Sequence, residues 1–283
     1  MRRTAVRTLR SLPLHAVVIG LCLLWILPAL GLLVSSFRPP RDVTMSGWWT
    51  ALRPPLEFTL ANYRQVIGTY NMGRSFLNSL LITIPATIMP IMVAAYAAYA
   101  FAWMRFPGRE ALFALVVGAL VIPLQMTLIP VLRLFMALHL VGTFPAVWLA
   151  HSAYGLPLAI YLLRNFVGAL PRDLLESAVI DGAGPLTVFF RLILPLSVPA
   201  VASLAIFQFL WVWNDLLVAV TFLGTDKDVT VMTARLVSMT GSRGQDWQLL
   251  TAGAFVSMIL PVAVFLALQR YFVRGLLAGS VKG

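Results

Sequence analysis

The chain has 283 residues, of which 60% are hydrophobic and 11% charged, with a mean hydropathy of +0.89. Soluble domains average about 45–50% apolar and about 25% charged residues, so the composition excludes an ordinary soluble protein and points to a chain dissolved largely in lipid. The formal charge of +11 comes from 21 basic residues scattered between apolar runs, which argues for membrane-flanking charge and against nucleic acid.

Crossing a bilayer takes about 20 mostly apolar residues, and these segments meet that measure: Leu14–Val34, Leu77–Trp103, Ala111–Leu132, Phe144–Leu163, Ser197–Leu223 and Leu249–Gln269. The expected fold is therefore all-α, a polytopic membrane protein with six transmembrane helices. Arg2, Arg3, Arg7 and Arg10 followed by an apolar run imitate a signal peptide. That run is longer than an h-region of about 7–15 residues and ends in Phe37-Arg38-Pro39-Pro40, so it reads as a first span. Cys22 within it is the single cysteine, which allows no intrachain disulfide. Pro85, Pro90, Pro123, Pro157 and Pro261 lie inside predicted spans, where kinks are expected.

Lysine and arginine set the orientation. With the N-terminus inside, the cytoplasmic segments hold twelve basic residues and the outer ones nine, and the N-terminal cluster and the short loop Arg105–Arg109 carry the most weight. Both termini are expected in the cytoplasm. The chain divides into 1–76 (basic segment, first span, first outer segment), a transmembrane core 77–270 with a loop at 170–196, and a C-terminal tail 271–283.

Residues 164–196, between the fourth and fifth spans, are more than a turn requires. Pro171 and Pro185 are each placed to open a short helix, and Gly182-Ala183-Gly184 separates the two. Leu174 and Ala178 share a face of the first helix, and Phe189 pairs with Leu192 and Ile193 on the second, which Pro195 is expected to end. The result is a helix-Gly-helix hairpin on the cytoplasmic side, amphipathic and too short to span. Such an element needs a partner surface.

Asp215 is the acidic residue most clearly inside a predicted span. A carboxylate there costs roughly 2.5–3.5 kcal/mol on insertion scales, so it marks a candidate functional site. Spacings of 3 and 7 put Gln208, Trp211 and Asp215 on one stripe, with Asn214 nearby. Aromatic faces, amides and carboxylates suit a sugar. The alternative is that Asp215 fixes helix packing, or lies near the outer interface. His15, His139 and His151 lack metal-ligand spacing and read as packing or interfacial residues, and no metal site is expected.

The stretch LPRDLLESAVIDGAGPLTVFFRLILPLSVPA resembles the EAA loop of ABC importer permeases, in Glu176-Ser177-Ala178, Asp181-Gly182-Ala183 and Ile193-Leu194-Pro195. Ser177 stands where the family usually has alanine. Supporting pieces run along most of the chain and are similar to sugar permeases of the maltose-transporter type: Phe58 to Tyr63, Asn78-Ser79-Leu80, Arg105 to Arg109, Ile129-Pro130, Trp213-Asn214-Asp215 and Gln269 to Leu276. The resemblance implies ATPase coupling through Glu176, Ser177, Ala178, Asp181, Gly182, Ala183, Ile193 and Pro195, and a tail contact with the ATPase through Gly279, Val281, Lys282 and Gly283. It implies a bacterial or archaeal plasma membrane, a second permease, two ATPase subunits, an extracytoplasmic binding protein and a carbohydrate cargo moved by alternating access. In that family the sister permease holds most of the sugar.

GxxxxGK(S/T), HExxH and G-x-S-x-G are absent, so the chain is expected to be no enzyme by itself and to bind no cofactor, with ATP and magnesium on its partners. The rivals are an ABC permease for another small solute such as glycerol phosphate, an amino acid or a peptide; an ion-coupled secondary transporter, which calls for repeats and several intramembrane charges; and an intramembrane enzyme, which calls for paired catalytic residues.

Overall fold

The structure, a computed structural model, describes residues 2–224, 228–239 and 246–278. The expected tail contact at Gly279, Val281, Lys282 and Gly283 lies outside the described residues. Among those described there is helix and no strand. In chain order the helices are α1 (Arg2–Ser36), α2 (Pro40–Met45), α3 (Ala61–Gly68), α4 (Met72–Trp103), α5 (Arg109–Gly118), α6 (Leu124–Ala137), α7 (Phe144–Gly168), α8 (Arg172–Ile180), α9 (Pro185–Val188), α10 (Leu194–Leu196), α11 (Val198–Trp213), α12 (Leu217–Leu223), α13 (Met232–Met239) and α14 (Trp247–Ala278).

Among the described residues four stretches are long and apolar enough to cross a membrane as single helices: Pro13–Ser36, Met72–Trp103, Phe144–Gly168 and Trp247–Arg270. Arg109–Val121 with Leu124–Ala137 and Pro185–Leu196 with Val198–Trp213 form bent pairs, at 104° and 73°, and counting each once brings the spans to six. The all-α polytopic fold is thus as expected, but two of its spans are not continuous. Ala111–Leu132 breaks at Pro123: Ile122 before it is driven to an extended ψ of 115°, the conformation proline imposes on its predecessor, and Pro123 becomes the N-cap of α6. Pro85, Pro90, Pro157 and Pro261, by contrast, lie inside unbroken helices. Ser197–Leu223 breaks after Trp213, so Asp215 sits between α11 and α12 rather than within a helix.

The chain forms two compact units, Met1–Gly73 with Leu236–Ser257, and Arg74–Arg235 with Met258–Gly283. In the first, Arg38 is buried and pairs with no carboxylate among the described residues. Its guanidinium instead donates to the Asp42 and Ser46 carbonyls and the Ser46 and Thr50 hydroxyls, the condition on which a charge can be taken from water. Asn62 donates to the carbonyls of Ser36 and Arg38, and the Tyr63 and Ser36 hydroxyls meet at 2.7 Å.

The second unit packs α4 against α7 along small residues. Ala86, Ala94, Ala95 and Ala98 on one helix and Ala146, Ala150 and Ala159 on the other are all buried, and both helices contribute side chains to two cores. One core joins the latter half of α4 to α7 and the hairpin through Tyr99, Leu163, Phe189 and Ile193. The other joins α6, α7 and α12 through Phe135, Val147 and Phe222. Asn78 donates to the carbonyls of Asp228 and Thr230, Ser79 accepts from the Met232 amide, and Arg74 pairs with Asp228 at 2.8 Å, so 228–232 is tied along the start of α4.

Candidate functional site: the hairpin and the His151 stripe

The hairpin follows from its glycines and prolines. Pro171 is the N-cap of α8, one residue outside the position expected, while Pro185 is the first residue of α9 as expected. Gly182 closes α8 in the left-handed region at φ +78°. Its own amide donates to the Val179 carbonyl and that of Ala183 to Ala178, each at 3.0 Å, the two bonds of a Schellman turn. A Cβ on Gly182 would meet nothing within 4 Å, so this position demands glycine for its backbone angle and not for space.

Pro195 does not end the second helix. The run continues to Leu196 through a π turn at Phe189–Ile193, in which the Leu194 amide reaches back five residues to the Phe189 carbonyl. Widening the turn is one way a helix accommodates a residue that cannot donate. The break comes at Ser197 instead, where Pro199 has no N–H for the Pro195 carbonyl, and α11 departs at 73°.

The hairpin has a fixed inner face and a free outer one. Leu175 and Ala178, not Leu174, form the inner edge of α8, because the Schellman turn sets its rotation and leaves Leu174 exposed. On the second helix Phe189 and Ile193 are buried with Leu192 packed beside them, as expected. Phe189 stands edge-on to Tyr96 at 5.2 Å and lies 6.0 Å from Tyr99, both on α4. The Trp103 indole donates to the Val167 carbonyl at 3.0 Å and fastens the end of α4 to that of α7. Outward lie the carboxylates of Glu176 and Asp181, with Val179, Leu186, Phe190 and Ile180, the last 84% exposed. Ser177 donates to the Asp173 carbonyl one turn back. Ala183 is partly buried beside the core, and Pro195 is exposed.

The stripe on α11 converges on His151 of α7, which is 1% exposed. Gln208 donates to the carbonyls of Ala86 and His151 at 3.2 and 3.4 Å. The Trp211 ring stands edge-on to the imidazole at 5.1 Å and 90°. Asp215 Oδ2 lies 3.6 Å from His151 Nε2. The Asp215 carboxylate also accepts from the Val218 and Ala219 amides and so caps α12, while its carbonyl accepts from the Thr233 hydroxyl at 2.6 Å. Gln208 and Asp215 are therefore engaged within the chain. Trp211, 37% exposed, and the exposed Asn214 retain open surface.

Residues 90–277, which include the hairpin and the stripe, match the family described as binding-protein-dependent transport system inner membrane component. The chain belongs to that family. It is 60% identical over 276 residues to the osmoprotective compounds uptake permease protein GgtD of Synechocystis sp., covering 96% of this chain and 93% of that one. It is 55% identical to the alpha-glucoside transport system permease protein AglG of Rhizobium meliloti, covering 88% of this chain and 68% of the relative. In fold it is similar to a chain of a bacterial ABC transporter involved in the import of the acidic polysaccharide alginate, with a TM-score of 0.75, 19% identity, and coverage of 92% and 95% of the two chains.

Sequence reasoning about this inner membrane component read His151 as a packing or interfacial residue and missed it as the stripe's partner, because the stripe was read from α11 alone and His151 lies on another helix. It also missed Tyr96 and Tyr99 as the seat of Phe189. The signal for that pair was their spacing of three on one face of α4, which a helix with apolar residues on every side conceals.

Proposed function

We propose that the protein is a permease subunit of an ATP-driven importer that carries a carbohydrate by alternating access, with the hairpin 170–196 seated in an ATPase subunit. The observation that carries this reading is the hairpin's two faces. Phe189 and Ile193 lock it to the transmembrane core, while Glu176, Asp181 and a row of apolar side chains are left exposed, with no hydrogen bond or ion pair from either carboxylate among the described residues. Glu176 and Asp181 would accept arginine bonds across the interface, Ser177 is small enough for close approach, Ala178 and Ala183 pack the hairpin onto the core, and Gly182, Ile193 and Pro195 set its shape.

In this reading both termini and the hairpin are cytoplasmic, ATP and magnesium are held by two ATPase partners, and the tail at Gly279, Val281, Lys282 and Gly283 reaches one of them. A second permease completes the cavity, and an extracytoplasmic binding protein delivers the cargo. Trp211 and Asn214 offer the open surface to a sugar, with Gln208 and Asp215 holding them in position. Carbohydrate rests on the relative named for alpha-glucosides. A second cargo, an osmoprotective compound, is favoured by the name of the 60% identical relative.

The test is purification of the tagged chain in mild detergent from its own host. Recovery of two ATPases, a second permease and a binding protein carrying a mass-identifiable sugar is expected. A lone, ATP-indifferent homo-oligomer would sink the reading.

A further inference from the structure

A cleft with a volume of about 760 Å3 opens where the end of α4, the loop leading to α5 and the first hairpin helix α8 converge. Its walls carry Arg105, Arg109 and Arg172 against a single carboxylate, Glu176. Arg109 is already engaged, with Nε and Nη2 donating to Glu110 Oε1 at 3.0 and 2.7 Å and Nη1 to the Met104 carbonyl at 3.3 Å. Arg105 and Arg172 make no hydrogen bond or ion pair among the described residues and are exposed. Two uncommitted guanidinium forks in one concavity, with a net positive wall, match an anion that accepts bidentate bonds.

The depth of the cleft selects among anions. Its floor includes Tyr99, Ala102 and Trp103, from the last two turns of α4, a helix that crosses a membrane, and Gly168 from the end of α7. Tyr99 lies four residues, about 6 Å of helix, inside the end of α4. Tryptophan and tyrosine at a helix end mark the level where headgroups meet hydrocarbon, and basic pockets between membrane helices at that level hold lipid phosphates. The Trp103 N–H is spent on Val167, so its ring packs and does not donate. Arg105 follows the end of α4 by two residues, at the headgroup level that Tyr99 and Trp103 mark, where a lipid phosphate would sit.

We infer that this cleft is a binding site for a phosphate-bearing anion, recognised by Arg105 and Arg172 with Arg109 as supporting charge, and that its source is the headgroup of an anionic membrane lipid. The site also contains Glu176. If the coupling reading above holds, lipid in the cleft occupies Arg105 and Arg172, keeps them from pairing with Glu176 and leaves that carboxylate free for the ATPase.

The test is native mass spectrometry of the detergent-purified complex after exposure to vesicles of phosphatidylglycerol or of phosphatidylcholine, with inorganic phosphate as a separate arm. Wild-type protein is expected to retain phosphatidylglycerol, and Arg105→Gln with Arg172→Gln to retain about fivefold less. The Lys pair should fall between them, with unchanged size-exclusion profiles showing that all variants fold. Competition by millimolar inorganic phosphate without lipid retention would assign the site to free phosphate and overturn the lipid source. Equal retention of both lipids, or equal retention by wild type and the Gln pair, overturns the site. Loss of ATPase subunits from the Gln pair with lipid retention unchanged overturns it in favour of a protein contact. None of the lipid readings requires transport, so failure here and failure of the permease reading are separable.

Discussion

His151 Nε2 lies 3.6 Å from Asp215 Oδ2, and the same imidazole is the edge-on partner of Trp211. At that separation the contact is electrostatic and not a short hydrogen bond, and the carboxylate's nearer partners are the amides at the start of α12. Asp215→Ala therefore removes a helix cap worth about 1 kcal/mol, which Asp215→Asn largely preserves. His151→Ala should lose less stability in the Asp215→Ala background than in the wild type, with an interaction energy of about 0.5–3 kcal/mol, as expected of residues in contact. Thermal unfolding of the four combinations in detergent measures it, and strict additivity would show that the pair does not act together.

Gly182 gives a cleaner prediction, because a Cβ there meets no atom and only its backbone angle opposes substitution. Gly182→Ala should cost about 1–2 kcal/mol of local hairpin stability and Gly182→Asn less, since asparagine tolerates the left-handed region. Gly184, at φ −71°, should accept alanine freely. Retention of ATPase subunits on the tagged chain should fall in the order Gly184→Ala, Gly182→Asn, Gly182→Ala. Equal retention by all three would remove the Schellman turn from the account.

The hairpin was legible in the sequence because its signals are local. Pro185 and Gly182 act on their own backbones, and the structure places them in those roles. What proved illegible depended on contacts between helices. Pro195 reads as a terminator, and only the π turn behind it shows how the helix passes through. Leu174 and Leu175 are adjacent leucines whose choice of face depends on how the turn rotates α8. The stripe of Gln208, Trp211 and Asp215 was visible as spacing, but Asp215 had left the helix, and nothing in α11 announces that His151 would face all three. Asn78 shows the converse. It was noticed as part of a resemblance, and its physical task is to hold the carbonyls of Asp228 and Thr230.

Gly155 and Gln208 make a paired prediction. A Cβ at position 155 would lie 2.6 Å from Gln208 Oε1, and the Gln208 side chain is buried and tied to two carbonyls. Gly155→Ala should therefore destabilise by about 1–3 kcal/mol, the range for overpacking a fitted core. Adding Gln208→Ala removes the clash, so the double variant should unfold at a higher temperature than the sum of the single effects implies.

Trp211 and Gln208 should separate in transport. Trp211 keeps open surface, so Trp211→Ala is expected to raise the substrate concentration for half-maximal uptake several-fold with little loss of protein. Gln208→Ala should lower protein yield first, because it leaves the Ala86 carbonyl without its side-chain donor. Uptake of a radiolabelled sugar, normalised to membrane content of the chain, distinguishes them. Identical profiles would mean that Trp211 serves packing alone.

The strongest demand falls on Phe189. It is 2% exposed, opens the π turn, and rests against Tyr96 and Tyr99 on α4, while its own helix bends directly into α11. A hairpin displaced by an ATPase would thus act on α11 through the chain and on α4 through side-chain packing that includes this ring. Phe189→Ala leaves a cavity and should cost about 3–5 kcal/mol if the site cannot collapse. Phe189→Leu keeps most of the volume but loses edge-on contacts worth about 0.5–1.5 kcal/mol. Because Glu176 and the exposed face of α8 are unchanged in Phe189→Leu, ATPase subunits should still bind and hydrolyse ATP, while fewer sugars move per ATP consumed. Uptake and phosphate release measured together in proteoliposomes give that ratio. A ratio equal to wild type would show that motion reaches α4 by another route, and Phe189→Tyr, which retains the ring, should restore it if the aromatic contact is the joint.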